Sequence, residues 1–343
     1  ILSKYPTLMT NSNNPNFSLI IPNYNGSEFI LDCLKSLYTA VKKCPSSNFE
    51  IIIVDNGSID DSCQLSQKFL DQNKLPNLLS TIYYLPSNLG FAGAVNYGLN
   101  HSQYQYIVLV NNDLTLESNW FRLISQNIIQ NSNPKIATFF GTILNKDGDK
   151  FESQGLKFFL RGKCLNVSNG KKFTPSTIYH LPSIKLIWGA PAALIVYEKK
   201  ILEKVGSFDN DFFAYEEDVD LALRLHLLGY QTLYIPQAIS YHLGGATSSR
   251  MANFRYRMDA KNWIYIIIKN YSSKEFWLNF FSITNERLRN LSGLIKNTIR
   301  IYKIKSIWIL PKDIFKTYGE VIQNIPKMIK KRHQIQKLLK SAS

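Results

Sequence analysis

Three short acidic signatures stand behind apolar runs: Asp55 in FEIIIVDNGSIDDS, Asp113 in YIVLVNNDLTLE, and Glu216, Glu217, Asp218 and Asp220 in FFAYEEDVDLALR. Carboxylates delivered to strand ends can meet in one cleft although they lie far apart in the chain. Asp55, followed by Asn56-Gly57-Ser58, could accept hydrogen bonds from a ribose or a base N–H; the competing reading is a cap for the helix that starts near Asp60. Asp113 offers an oxygen to a divalent cation that would take up charge on a diphosphate leaving group. The Glu216 to Asp220 cluster, beside Phe212, Phe213 and Tyr215, offers a general base for a hydroxyl proton, with neighbours able to tune its pKa. Acids at a helix start are also what the macrodipole tolerates, so structure and chemistry compete for that cluster.

Other residues join these. NLGFAGAVNYG, from Asn88 to Gly98, has neither G-x-G-x-x-G nor G-K-[ST], yet Gly90, Gly93 and Gly98 would allow close approach of a ligand or of another backbone. The amides at that helix start could meet an anion. His242 could ligate a metal together with Asp113, or be structural. Trp188, beside Gly189 and Ala190, could floor a sugar site by stacking, or be core. Arg224, four residues beyond Asp220, is expected to pair with it on one helix face and is counted on the acceptor side.

The elements that must carry these residues follow from periodicity. Residues 1–16 read as a loose leader rich in Asn, Pro, Ser and Thr. FSLII, EIIIV, STIYYL and YIVLV are continuous apolar runs that alternate with helical patterns of about ten residues, the sign of a parallel sheet covered on both faces. Ser27 is placed to cap the first helix. A helix over Glu117 to Ile129 leads to IATFFGTIL, and Asp147 to Ser183 reads as an irregular insertion. IWGAPAALIV returns to the core, Asp218 to Leu228 is a helix ended by Gly229, and YQTLYIP is the last expected core strand. Beyond Met251 the pattern is helical, with breaks expected at Pro311 and Pro326.

The 343 residues, 45% of them hydrophobic, suffice for a full-size core and exclude a disordered chain. Four cysteines without paired or metal-ligand spacing, and no secretory signature, read as reduced thiols of a cytoplasmic protein. The charge of +15 is placed unevenly: residues 1–249 carry 20 basic and 20 acidic side chains, residues 250–343 carry 20 and 5. A basic helical tail with bulky apolar residues interleaved suits an anionic membrane surface, and no apolar run reaches the length of a span. A nucleic-acid-binding role disagrees with a neutral cleft domain, so no nucleic-acid partner is expected. A metal-dependent nucleotidyltransferase, the runner-up enzyme, would want a basic glycine-rich phosphate loop where PNYNGSEF has neither Lys nor Arg.

Taken together, these segments resemble the family 2 inverting glycosyltransferases of GT-A fold, particularly a rhamnosyltransferase-like branch, over Phe17 to about Ser248. The resemblance implies an α/β catalytic domain over 17–249, with a nucleotide-binding half at 17–115 and an acceptor-binding half at 116–249, followed by a basic helical region at 250–343. It implies that Pro22, Asn23, Tyr24, Asp55, Asn88, Gly93 and Asn112 lie against a nucleotide-diphospho-sugar. Asp113, with His242, would hold magnesium or manganese. Trp188, Gly189, Ala190 and Arg224 would face a saccharide or lipid-linked saccharide acceptor, and Asp218, with Glu217 beside it, would be the base. The branch implies rhamnose as the sugar; UDP-linked hexoses, galactofuranose and other deoxysugars stay open. The implied location is cytoplasmic, peripheral on the inner face of the membrane.

Overall fold

The computed structural model describes residues 14–174, 183–243, 253–302 and 306–342. The first cycle runs β1 (Phe17–Asn23), α1 (Ile30–Lys42), β2 (Phe49–Asp55), α2 (Ser62–Gln72), β3 (Leu78–Tyr84), α3 (Gly90–His101) and β4 (Tyr106–Val110). Strands β3, β2, β1 and β4 lie side by side in that order, all parallel, with Phe17 opposite both Phe49 and Tyr106. β1 and β2 are apolar along nearly their whole length because helices cover both faces, whereas β3, at the sheet edge, is exposed or half-buried throughout. Phe17 stacks on Phe49 at 5.4 Å and both pack on Phe121. Burying one such ring contributes about 2–3 kcal/mol. Pro22 sits in β1 without harm, since β1 pairs with β4 only through Ile20 and the missing N–H falls beyond that ladder.

Across β4 the sheet changes character. The chain continues through β5 (Leu114–Leu116), α4 (Trp120–Gln130), β6 (Ile136–Asn145), β7 (Phe151–Ser153), β8 (Leu156–Phe159), β9 (Lys163–Asn166), β10 (Lys185–Ile187), β11 (Leu194–Glu198), α5 (Lys199–Val205), α6 (Glu217–Leu227) and β12 (Gln231–His242). Strand β11 is antiparallel to both β4 and β6, β12 is parallel to β6, and β10, β5 and β7 add antiparallel edges. The ten-stranded sheet is therefore parallel on one side and mixed on the other, with β8 and β9 forming a separate hairpin. IWGAPAALIV becomes two strands, β10 and β11, with a turn between them. β12 runs on past YQTLYIP to His242, its register shifting between Tyr234 and Ile239.

Four helices follow: α7 (Phe254–Asn270), α8 (Ser273–Leu278), α9 (Phe280–Tyr302) and α10 (Ser306–Ala342). They share an apolar cluster with the sheet domain, in which Leu156, Phe212, Val219 and Leu223 meet Trp263, Ile266, Tyr271, Ile283, Val321 and Met328. Two local expectations fail. Ser27 does not cap α1, whose first residue follows Phe29 with no side-chain cap; the Ser27 amide donates instead to Asp60, 2.9 Å away. Pro311 and Pro326 do not break α10. Packing of Val321 and Met328 against α7 offsets the backbone hydrogen bonds that proline removes. The leader residues 1–13 and Gly244-Gly245 lie outside the described residues.

Candidate active site

The order β2-β1-β4-β11 puts a switch point between β1 and β4, where an open α/β sheet presents its carboxyl ends to a ligand. A cleft of about 500 Å³ opens there. One wall is made by Pro22, Asn23, Tyr24, Asn56, Asn88 and Gly90. Asn112, leaving β4, donates from Nδ2 to Asn23 Oδ1 at 2.8 Å and so ties the two strand ends together. Asn23 in turn donates to Ser62 Oγ at 2.8 Å and to Asp55 Oδ1 at 3.3 Å. Asp55 is 5% exposed and also accepts from the Ser58 amide; it stands behind Asn23 rather than on the cleft wall. Asn88 accepts from Asn56 Nδ2 and from the Gly90 amide, which shapes the turn into α3. Gly90 has φ +76°, and a Cβ there would lie 2.3 Å from the Phe213 carbonyl, so glycine lets the two walls approach. Gly93 is one step deeper in α3, against Leu89.

At the floor, Asp113 Oδ1 lies 3.1 Å from His242 Nε2, and His242 Nδ1 lies 2.5 Å from Glu152 Oε1 on β7. Burial alone would lower the imidazole's pKa, but the hydrogen bonds to Asp113 and Glu152 raise it to about 10. Among the described residues no group of three or more His, Cys, Asp or Glu side chains forms a ligand set. Asp113 and His242 are a carboxylate and an imidazole with adjacent donor atoms, which suits manganese or magnesium if a substrate's oxygens complete the shell. Glu152 would then orient the imidazole from its far nitrogen, and His242 would have to release a proton.

The opposite wall carries the acidic cluster. Asp218 accepts from the Ala192 amide at 3.1 Å and from the Val219 amide at 2.8 Å. Burial raises the Asp218 pKa and the two amides oppose it; burial, helped by the charge of Asp218, pushes Glu217 up to about 8. The chain reaches this position through Phe213 (φ +65°), Tyr215 (+68°) and Glu216 (+65°), positive-φ conformations that cost about 1 kcal/mol or more each in a non-glycine residue. Asn262 of α7 spans that loop, with Nδ2 3.1, 2.9 and 2.6 Å from the carbonyl oxygens of Phe212, Ala214 and Tyr215. Arg255, also on α7, lines the cleft and lies over the Tyr215 ring.

Several expected acceptor residues are elsewhere. Trp188 stacks on Phe158 at 4.8 Å and is not on the cleft wall. Gly189 and Ala190 line a small internal pocket instead of the cleft, because the chain turns after them and presents Pro191, Ala192 and Ala193. Arg224 is 5% exposed and bonds Asp220, the Val205 carbonyl and the Ser207 carbonyl, so it braces α6 and is not on the cleft wall. Glu152, Arg255 and Asn262 escaped the sequence reading. A lone His beside a strand-end Asp called for a further acidic partner, which could have directed attention to Glu152.

Comparison with known proteins places the chain among sugar-transferring enzymes. The family profile described as Glycosyl transferase family group 2 matches residues 107–308, and that of Glycosyl transferase family 2 matches residues 18–179. Poly-beta-1,6-N-acetyl-D-glucosamine synthase of Staphylococcus epidermidis is 25% identical over 229 residues, 66% of this chain and 49% of that protein. The protein of the same name from Staphylococcus aureus strain COL is 26% identical over 222 residues, 64% and 48%. The chain thus spans about half the length of these relatives. Among solved structures, a mannosyltransferase of Pyrobaculum calidifontis with GDP-Man and Mn²⁺ superposes with TM-score 0.53 at 13% identity, over 96% of this chain and 86% of that one. S. aureus TarS 1-349 with UDP-GlcNAc gives TM-score 0.51 at 15% identity, over 93% and 92%. At such identities the likeness establishes a shared fold.

Proposed function

The chain belongs to glycosyl transferase family group 2, and from that membership we propose that it transfers a sugar from a nucleotide-diphospho-sugar to a hydroxyl of a saccharide or lipid-linked saccharide, with inversion. The observation that carries this reading is one cleft with a carboxylate held by two backbone amides on one wall, Asp218, and a strand-end asparagine and aspartate array on the other. Asp218 takes the proton of the acceptor hydroxyl as that oxygen bonds to the anomeric carbon, and the bond from that carbon to the diphosphate breaks with its electrons leaving on the phosphate oxygen. Glu217, protonated up to about pH 8, leaves the negative charge on Asp218. Asn23, Asn112 and Asn88 orient the nucleotide side, Asp55 braces Asn23, and Arg255 faces the anionic donor from α7. A divalent cation held by Asp113 and His242 would supply charge to the departing diphosphate.

Rhamnose is the donor sugar that the branch resemblance favours, and the relatives' names set N-acetylglucosamine beside it. A panel of dTDP-, UDP- and GDP-sugars, assayed for binding and hydrolysis with manganese or magnesium and again with chelator, tests the reading. One metal-dependent donor is expected; binding of none would overturn it.

The tail reads as the membrane-facing side. On α10, Phe315, Ile322 and Ile329 are exposed at 78, 68 and 42% and recur every seven residues, with Lys312, Lys316, Lys330 and Lys337 along the exposed part of the helix. That pattern fits an anionic bilayer at its inner face. No described helix is long and apolar enough to cross a membrane. Sedimentation with phosphatidylglycerol vesicles should fall when Phe315, Ile322 and Ile329 become Ser; equal sedimentation counts against this side.

A further inference from the structure

The loop that presents Glu217 and Asp218 is held in a conformation its own residues disfavour, since Phe213, Tyr215 and Glu216 all have positive φ within four positions. Much of what holds it comes from beyond residue 250. Asn262 is fully buried, and its single amide nitrogen faces three loop carbonyls, those of Phe212, Ala214 and Tyr215. On the N-terminal side of the loop, Asp209 receives Lys269 at 2.5 Å and Asp211 receives Lys331 at 2.6 Å. On the C-terminal side, Asp220 receives Lys269 at 2.9 Å and Asn270 at 2.9 Å. The loop is thus anchored before, within and after its strained stretch by α7 and α10, which add to the Ala92 amide on the Phe213 carbonyl at 3.4 Å, Asn96 on the Phe208 carbonyl at 2.7 Å and Arg224 on Asp220.

We propose that Asn262 is a positioning residue for the transfer reaction, keeping the Asp218 carboxylate aimed into the cleft, so that the C-terminal helices are part of the catalytic unit. This rests on the reading of Asp218 as the base. A backbone left to relax by an ångström at that point would misplace the base while leaving the nucleotide wall, built on β1 and β4, intact. The reaction then loses turnover and keeps its donor affinity.

The experiment compares Asn262→Ala with the unmodified full chain on the donor found by the panel. The expected result is kcat lower by about 30- to 100-fold with the donor's Kd within about threefold. A second variant separates positioning from general stability: Glu216→Gly lets the left-handed conformation form without penalty. In the Asn262→Ala background it should recover about a third or more of the lost log(kcat), whereas a residue that only glues α7 to the sheet domain would see no recovery. Unchanged kcat in Asn262→Ala overturns the proposal. So does a joint loss of kcat, donor affinity and melting temperature that Glu216→Gly leaves as it was. If Asn262→Ala does not fold, Lys331→Met loosens the anchor on Asp211 from outside the loop; it should lower kcat several-fold at constant donor Kd, and an unaltered kcat would sink the idea. Retained activity in Asp218→Asn would sink the base reading instead, which keeps the two failures apart.

Discussion

The two walls of the cleft are built by different means. The wall proposed for the nucleotide is the exposed end of a parallel sheet: Asn23 and Asn112 emerge from neighbouring strands, bond each other at 2.8 Å, and owe their places to a buried core that exists for its own reasons. The acidic wall is a loop in an unfavourable backbone conformation, pinned by Asn262 and by buried lysines from helices far along the chain. A site that rides on strand ends costs the fold little, whereas one held in tension depends on the partners that hold it. Substitutions in the first should therefore weaken binding, and substitutions in the second should weaken turnover and stability together.

The largest effect should come from Asp218→Asn, with kcat down about 10³-fold and donor binding retained, read by steady-state kinetics and calorimetry; retention of most activity would remove the base from this wall. Next, Lys269→Met removes the cation that buried Asp209 and Asp220 share and leaves them only Lys331 and Arg224 respectively. Urea unfolding should show a loss of about 3–5 kcal/mol, and a loss near zero would mean the anchors do not carry load. Third is pH. The Glu217 carboxyl rises from 4.5 to about 8 on folding, so its stabilisation is complete below about pH 4.5 and disappears as pH climbs through 8. Stability should drop by about 2–4 kcal/mol between pH 5 and pH 8, and Glu217→Gln should flatten that slope, measured as melting temperature against pH. Burial alone would raise Asp209, but Lys269 and Lys331 hold it well below the usual range, so its contribution runs the other way and is lost only in acid. The smallest effect belongs to the nucleotide wall: Asn112→Ala should raise the donor KM about five- to tenfold, about 1–1.5 kcal/mol, at nearly constant kcat.

The same contrast explains what could be read without coordinates. Strands β1, β2 and β4 announce themselves because they are buried on both faces and so are apolar along nearly their whole length, and Asp55 and Asp113 are conspicuous as strand-end charges after such runs. The acidic cluster is visible as composition. Its support is not, because Asn262 and Lys269 sit in a basic helical stretch whose local pattern carries no sign of the carbonyls and carboxylates they meet. Trp188, Gly189 and Ala190 lie off the cleft for a related reason: a turn after Ala190 decides which side of the segment faces the cleft, and the segment is tied to β8, whose Leu156 amide bonds the Gly189 carbonyl at 2.8 Å. The spacing of Arg224 and Asp220 shows their pairing, yet both are sealed from solvent, so the pair braces α6. The prolines of α10 follow local rules that packing against α7 overrides.

The buried lysines and the exposed ones should part company in concentrated salt. Ions screen charges that water reaches and leave sealed pairs nearly untouched. Lys269, with 2% of its side chain exposed, belongs to the second kind; Lys312, Lys316 and Lys330 belong to the first. If α10 seats the enzyme on a bilayer as proposed, high salt would remove the share of that binding that the lysines supply, leave the share of Phe315, Ile322 and Ile329, and leave the acidic loop set by its inner braces.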